Sequence, residues 1–153
     1  MIRHKDNKRI KEAVETFFNK MTVPVNIKIG YLKDQTLPIE LETEDPKILI
    51  GEKGQTLLDV QKLLKIILKR KIGESFYVDL DVNNYKKKKI DYLREIARAV
   101  ADEVALNKKE RILTSMVAYE RRIIHMELAD RKNIVTESIG EEPYRRVAVR
   151  PYP

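Results

Sequence analysis

The sequence predicts an α+β protein built from two consecutive units. Three observations carry this reading. Stretches such as VNIKIG and FYVDLDV alternate apolar and polar residues, the period of a strand with one buried face. Between them lie segments whose apolar residues recur every third or fourth position, as on an amphipathic helix. The pattern stops at Asn83 and Asn84 and restarts with a new helix, which divides the chain into residues 1–83 and 84–153.

Residues 7–20 open the first unit as a helix, with Ile10, Val14, Phe17 and Phe18 at helical spacing and Pro24 beyond its end. Val25, Ile27 and Ile29 then alternate with Asn26 and Lys28. Leu37, Ile39 and Leu41 alternate with Pro38, Glu40 and Glu42, so the two runs read as a hairpin with an acidic outer face. Asp45 followed by Pro46 is an N-cap with proline at the first helical position, starting a short helix over 46–50. After GEKG a long helix buries Leu57, Val60, Leu64 and Ile67, and Gly73 ends it. Phe76, Val78, Leu80 and Val82 form a third strand. The order is αββααβ.

The second unit begins at YKKKK. Ile90, Leu93, Ala97, Val100 and Val104 step by three and four, which predicts a helix over 86–106. KKERILTSM reads as a loop with a short strand, and residues 117–130 as a second helix. NIVTES and YRRVAVR are strands around a Gly-Glu-Glu-Pro turn at 140–143. This unit therefore has two helices and about three short strands.

Composition narrows the function. The chain has 153 residues, 42% hydrophobic and 36% charged, with a formal net charge of +7. Such a balance suits an acidic partner, such as nucleic acid or an anionic membrane. Residues 84–153 hold 16 Lys and Arg against 11 Asp and Glu; residues 1–83 hold 15 against 13. Most of the basic excess thus belongs to the second unit. With no cysteine there is no disulfide framework, zinc knuckle or cysteine nucleophile. The N-terminus lacks the apolar segment of a secretory signal, and no apolar run approaches the roughly 20 residues of a membrane span, so a cytoplasmic location is expected.

Gly51 and Gly54 stand at the start of a helix in a chain with five glycines. Lacking Cβ atoms, they let an anion approach backbone N–H groups at the positive end of the helix, with Lys53 adding a side-chain charge. The spacings of a P-loop and of a dinucleotide fingerprint are both absent, so a sugar-phosphate chain is the better guest. Helix–GxxG–helix between a hairpin and a third strand resembles a KH domain of type II. The likeness covers residues 7–83. In that family the loop, here Gly51, Glu52, Lys53 and Gly54, clamps about four nucleotides of a single strand. Glu52 departs from the pattern by placing a carboxylate where a basic residue would favour phosphate.

YERRIIH places Arg121 and His125 four residues apart on one helix face. Set in a small α/β unit, this resembles the R3H domain, named for that spacing and associated with single-stranded nucleic acid. Arg121 and His125 map onto its signature positions, with Arg122, Arg145 and Arg146 as neighbouring basic residues. On the preceding helix Lys87, Arg94 and Arg98 form one stripe opposite Leu93, Ala97 and Val100, with Asp91 in the same stripe. The pair Arg121 and His125 is expected to contact nucleic acid and not to catalyse, a guanidinium beside an imidazole that can stack on a base or donate to a phosphate. The competing reading is a half-buried His125 that packs beside Ile124 and Leu128 and braces the helix.

KH followed directly by R3H, with GEKGQTLLDVQ and YERRIIHMEL, resembles the Jag family (SpoIIIJ-associated, KhpB/EloR-like proteins) over nearly the whole chain. The resemblance implies a bacterial cytoplasmic RNA-binding regulator or RNA chaperone linked to cell elongation, division and cell shape, partnered by a small single-KH protein. Single-stranded DNA is a further possible ligand. Typical members also carry an N-terminal Jag domain and linker, which these residues do not include, so a short form or a fragment is expected. Where many members have proline before Tyr-Glu-Arg-Arg, this chain has Ala118.

No cofactor is expected, and no catalytic constellation stands out: His4 and His125 are far apart, and the carboxylates mostly alternate with Lys and Arg. Glu40, Glu42 and Glu44 could line a metal site, but their alternation is that of an exposed strand. The expectation is a binding protein and not an enzyme. The alternative from another class is a protein–protein adaptor that uses the KH fold to dimerise.

Overall fold

The computed structural model describes residues 4–153, so residues 1–3 of the segment read for a leader lie outside it. The described residues divide into two compact units, with the boundary between Lys86 and Lys87. In the first, α1 (His4–Met21) leads to β1 (Asn26–Ile29) and β2 (Thr36–Glu42). After α2 (Pro46–Ile50), a tight turn at Glu52–Gly54 enters α3 (Gln55–Ile72), and β3 (Tyr77–Val82) follows. The sheet order is β1-β2-β3. β1 runs antiparallel to β2, with Ile29 opposite Ile39, whereas β3 runs parallel to β2, with Leu41 opposite Val82. A parallel pair needs a crossover, and α2 and α3 supply it.

One core holds this unit. α1 contributes Ile10, Ala13, Val14 and Phe18; the strands contribute Leu37, Ile39, Leu41, Val78, Leu80 and Val82. Leu57, Val60, Leu64 and Leu68 complete it from α3. The expected fourth residue, Ile67, is only partly buried. At 3.6 residues per turn the stripe drifts, so Leu68 takes the centre and Ile67 the margin. Gly73 ends α3 in a left-handed conformation, φ 82°, its N–H donating to Lys69 O at 2.9 Å. Asn83 and Asn84 leave β3 at φ 49° and 57°, a region asparagine tolerates. The Asn83 side chain clamps Thr43, accepting from its N–H at 3.0 Å and donating to its carbonyl at 2.8 Å.

α4 spans Tyr85–Asn107 and supplies Leu93, Ala97, Ala101 and Val104 to a second core. β4 (Arg111–Ile112), α5 (Ala118–Leu128), β5 (Ile134–Ile139) and β6 (Arg146–Pro151) follow. The sheet is antiparallel in the order β4-β6-β5. Its central strand buries Val147, Ala148 and Val149. α5 adds Ile124 and Leu128 to the core. Among the described residues no helix is long and apolar enough to cross a membrane.

Candidate nucleic-acid interface

The loop at 51–54 is an exposed turn with a closed back. The Gly51 N–H ends α2 by donating to Lys47 O at 2.9 Å. Gly51 then adopts φ 71°, ψ −175°, a region essentially reserved for glycine. A Cβ there would lie 2.0 Å from Thr56 Oγ1 and 3.0 Å from the Thr56 nitrogen. Lys53 and Gly54 are both left-handed, at φ 52° and 77°. A Cβ on Gly54 would meet the Tyr85 ring and hydroxyl at 3.1–3.5 Å. The two glycines thus let the protein's own chain close in: the space expected to admit an anion on the Cβ side is filled by Thr56 and Tyr85. What remains open is the other side. Glu52 and Lys53 are exposed, and α3 starts with no side-chain cap on its first-turn N–H groups. Ile48 and Leu58, on the flanking helices, are exposed aliphatics. The Gly54 and Gln55 N–H groups donate within the turn, to Gly51 O and Glu52 O, so what the open side offers a sugar-phosphate backbone is the positive end of α3, a lysine and apolar surface for the bases.

α5 presents a different picture. Arg121 lies inside the fold, 7% exposed, and not on an open face. Its guanidinium donates to Met116 O at 2.7 Å and pairs with Glu142 at 2.8 Å. His125 is half-buried, its Nδ1 2.8 Å from Thr136 Oγ1 and its Nε2 2.8 Å from Ser138 Oγ. Both hydroxyls can donate or accept, so a neutral imidazole satisfies both bonds with either tautomer. Burial, and then the positive charge of Arg121, lower the His125 pKa from its ordinary value. The cause of the inward turn is the apolar stripe: Arg121, Ile124, His125 and Leu128 share one face, and Ile124 and Leu128 belong to the core. The half-buried bracing geometry is the one the fold adopts.

The remaining candidates scatter. Arg122 is exposed on the opposite face of α5, where Tyr119 and Met126 are exposed too. Arg94 and Arg98 each approach Glu127 of α5 at 3.5 Å, so one carboxylate partly neutralises both. Lys87 is exposed. Arg145 is partly buried with an unpartnered Nε, and Arg146 donates from Nε to Tyr144 O at 3.3 Å. Arg150, outside the expected set, is held by Glu110 and Glu137. On the first sheet Glu42 is engaged by Lys28 at 2.6 Å, which lowers the carboxylate's pKa and raises the lysine's. Among the described residues no three His, Asp or Glu are gathered for a metal.

Residues 91–151 match the family model of the R3H domain. The second unit is an R3H domain. The chain is also similar to proteins called RNA-binding protein KhpB. One from Clostridium symbiosum is 35% identical over 139 residues, covering 90% of this chain and 63% of its own length. One from Bacillus subtilis (strain 168) is 34% identical, covering 75% of this chain and 56% of its own. One from Streptococcus pneumoniae serotype 2 is 27% identical, covering 89% and 41%. The chain thus spans between 41% and 63% of the length of these relatives. They bear out the resemblance to the Jag family read from the sequence.

In the R3H unit, motif spacing located Arg121 and His125 but not what holds them. Glu142, Thr136, Ser138 and Glu127 are the residues that sequence reasoning missed. Thr136 and Ser138 left one trace, two hydroxyls alternating on one face of a strand. In the first unit the missed residues are Thr56 and Tyr85, which back the two glycines.

Proposed function

We propose that the chain binds single-stranded RNA, and that its first unit is a type II KH domain whose 51–54 loop receives the sugar-phosphate backbone. The observation that carries this is the loop: a left-handed GxxG turn between α2 and α3, set after an antiparallel hairpin and before a parallel third strand. The R3H domain that follows it in the chain and the relatives named as RNA-binding proteins support the same reading. The R3H unit contributes Arg122, Lys87 and Arg146 as outward cations, with Arg121 and His125 holding α5. The chain is a binder and not a catalyst, acts in the cytoplasm as a Jag-type regulator of cell elongation and division, and takes a small single-KH protein as partner. Single-stranded DNA is a further ligand of the same loop.

The adaptor reading has one observation of its own. Leu63 and Ile66 on α3 are 50% and 63% exposed, as a protein-binding face would be. Salt separates the two, since phosphate-driven binding falls steeply with added salt and apolar contact does not.

The direct test is Glu52→Asp with Lys53→Asp. Both positions are exposed, and aspartate tolerates the left-handed conformation at 53. The fold should survive, with single-stranded RNA bound about tenfold more weakly because two carboxylates face the phosphates. Native circular dichroism with unchanged affinity would move the binding site elsewhere.

A further inference from the structure

We propose that Tyr85, the first residue of α4, is the positioning residue of the 51–54 loop: its ring is the wall against which Gly54 is set. This rests on the reading that the loop contacts RNA. Gly54 is buried although Glu52 and Lys53 beside it are exposed. The three atoms nearest to a Cβ on Gly54 all belong to Tyr85: the hydroxyl oxygen at 3.1 Å, Cε1 at 3.2 Å and Cζ at 3.5 Å. A left-handed glycine does not bring such a wall by default. Gly73 has a similar φ of 82°, and nothing lies within 4 Å of its Cβ position.

Tyr85 is itself fixed from outside the loop. Asn83, two residues earlier, clamps Thr43. Lys86, one residue later, donates its backbone N–H to Asp81 Oδ1 at 3.2 Å, and its ammonium reaches Asp79 at 2.5 Å and Gln61 at 3.3 Å. The ring also packs against the first core. The left-handed pair Lys53 and Gly54 decides where the Lys53 side chain and the start of α3 point. An aromatic ring held rigidly against Gly54 keeps that pair from relaxing, since close-packed neighbours leave a turn little room. The ring's flat bulk does this, and the hydroxyl is not needed.

The test uses the full chain and a short fluorescein-labelled RNA of randomised sequence, with thermal melts and 15N amide spectra of each variant. Tyr85→Phe should bind within about twofold of wild type and Tyr85→Ala about tenfold more weakly. The amides of Lys53, Gly54 and Gln55 should shift in Tyr85→Ala while those of Ile39 and Leu64 stay in place. Added to the Glu52→Asp, Lys53→Asp pair, Tyr85→Ala should weaken binding no further, because the two lesions act through one element. If Tyr85→Ala does not fold, Tyr85→Leu takes its place with the same expectations. The proposal is overturned if Tyr85→Ala binds as wild type while the aspartate pair is weakened, or if Tyr85→Phe loses as much as Tyr85→Ala. Unmoved loop amides would also overturn it. Should the aspartate pair itself bind normally, the RNA reading of the loop fails, and the amide shifts still decide whether Tyr85 sets the turn.

Discussion

The glycine loop and helix α5 carry similar-looking sequence, polar and basic residues flanked by apolar ones, and the fold treats them in opposite ways. In GEKG the side chains of Glu52 and Lys53 stay exposed while the glycines close on Thr56 and Tyr85. On α5 the motif residues turn inward, Arg121 to Met116 and Glu142, His125 to Thr136 and Ser138. The difference lies in the apolar neighbours. Ile124 and Leu128 stand on the same helix face as Arg121 and His125, and burying them carries the polar pair along. The loop has no apolar side chain of its own, so nothing draws Glu52 and Lys53 in. An i, i+4 spacing therefore says that two side chains are neighbours. The apolar residues between them say which way they look.

The strongest way to break this contrast is Arg121→Ala. The change leaves the Met116 carbonyl without its partner, and an unsatisfied buried acceptor costs about 1–3 kcal/mol. Glu142 adds little, because it is largely exposed and regains water. For a domain of this size each kcal/mol lowers the melting temperature by about 4–8 °C. Arg122→Ala, one position along on the open face, should change stability by less than about 0.5 kcal/mol. Calorimetric melts of the two variants make the comparison. Equal melting temperatures for Arg121→Ala and wild type would return Arg121 to the surface role that its motif suggests.

A smaller effect is expected from acid, and its sign is informative. The fold holds the His125 pKa below its ordinary value, mainly by burial and then by the charge of Arg121. The unfolded chain then binds the proton more readily than the folded one, so stability rises with pH across the gap between the two values. The contribution is complete above the unfolded value of about 6.5, is lost as pH falls through the lowered folded value, and is flat below it. Urea midpoints at neutral and mildly acidic pH should therefore fall more for wild type than for His125→Gln. A wild type that gains on the variant at acid pH would mean an imidazolium stabilised by the fold, which contradicts the bracing geometry.

Much of the fold was legible because local periodicity and burial agree. Leu37, Ile39 and Leu41, and later Phe76, Val78, Leu80 and Val82, alternate in the sequence and are all buried. Gly73 and Pro46 marked helix ends through backbone chemistry, whereas Asp45 takes the N-cap position without a side-chain bond to the helix. The site was less legible because its decisive partners are distant in the chain. Nothing local to Gly54 names Tyr85, and nothing near Arg121 names Glu142, which reaches it from the turn between β5 and β6. Such contacts are set by how a hairpin or a helix end packs, which periodicity does not encode. The orientation of Arg121 and His125 was half legible. Ile124 and Leu128 announced the buried face, but the Arg-x-x-x-His spacing drew attention to contact instead.

The finest version of the comparison lies among the outward cations of α4. Lys87, Arg94 and Arg98 share one stripe, yet Arg94 and Arg98 lean on Glu127, while Lys87 has no ion pair among the described residues. A cation already paired with a carboxylate must give up that pairing to meet phosphate, so its net gain on binding is smaller. Neutralising Lys87 should lower the slope of log affinity against log salt by about 0.7, the single-strand value for one phosphate contact. Arg98→Ala should lower it by less, and Glu127→Gln should raise it by freeing both arginines. The sequence preference of binding should stay the same in all three, since phosphate contacts carry no base information. Equal slope losses for Lys87→Ala and Arg98→Ala would show that Glu127 does not shield the stripe. No change in any of the three would leave α4 as solvated charge and place the interface on the loop and Arg122.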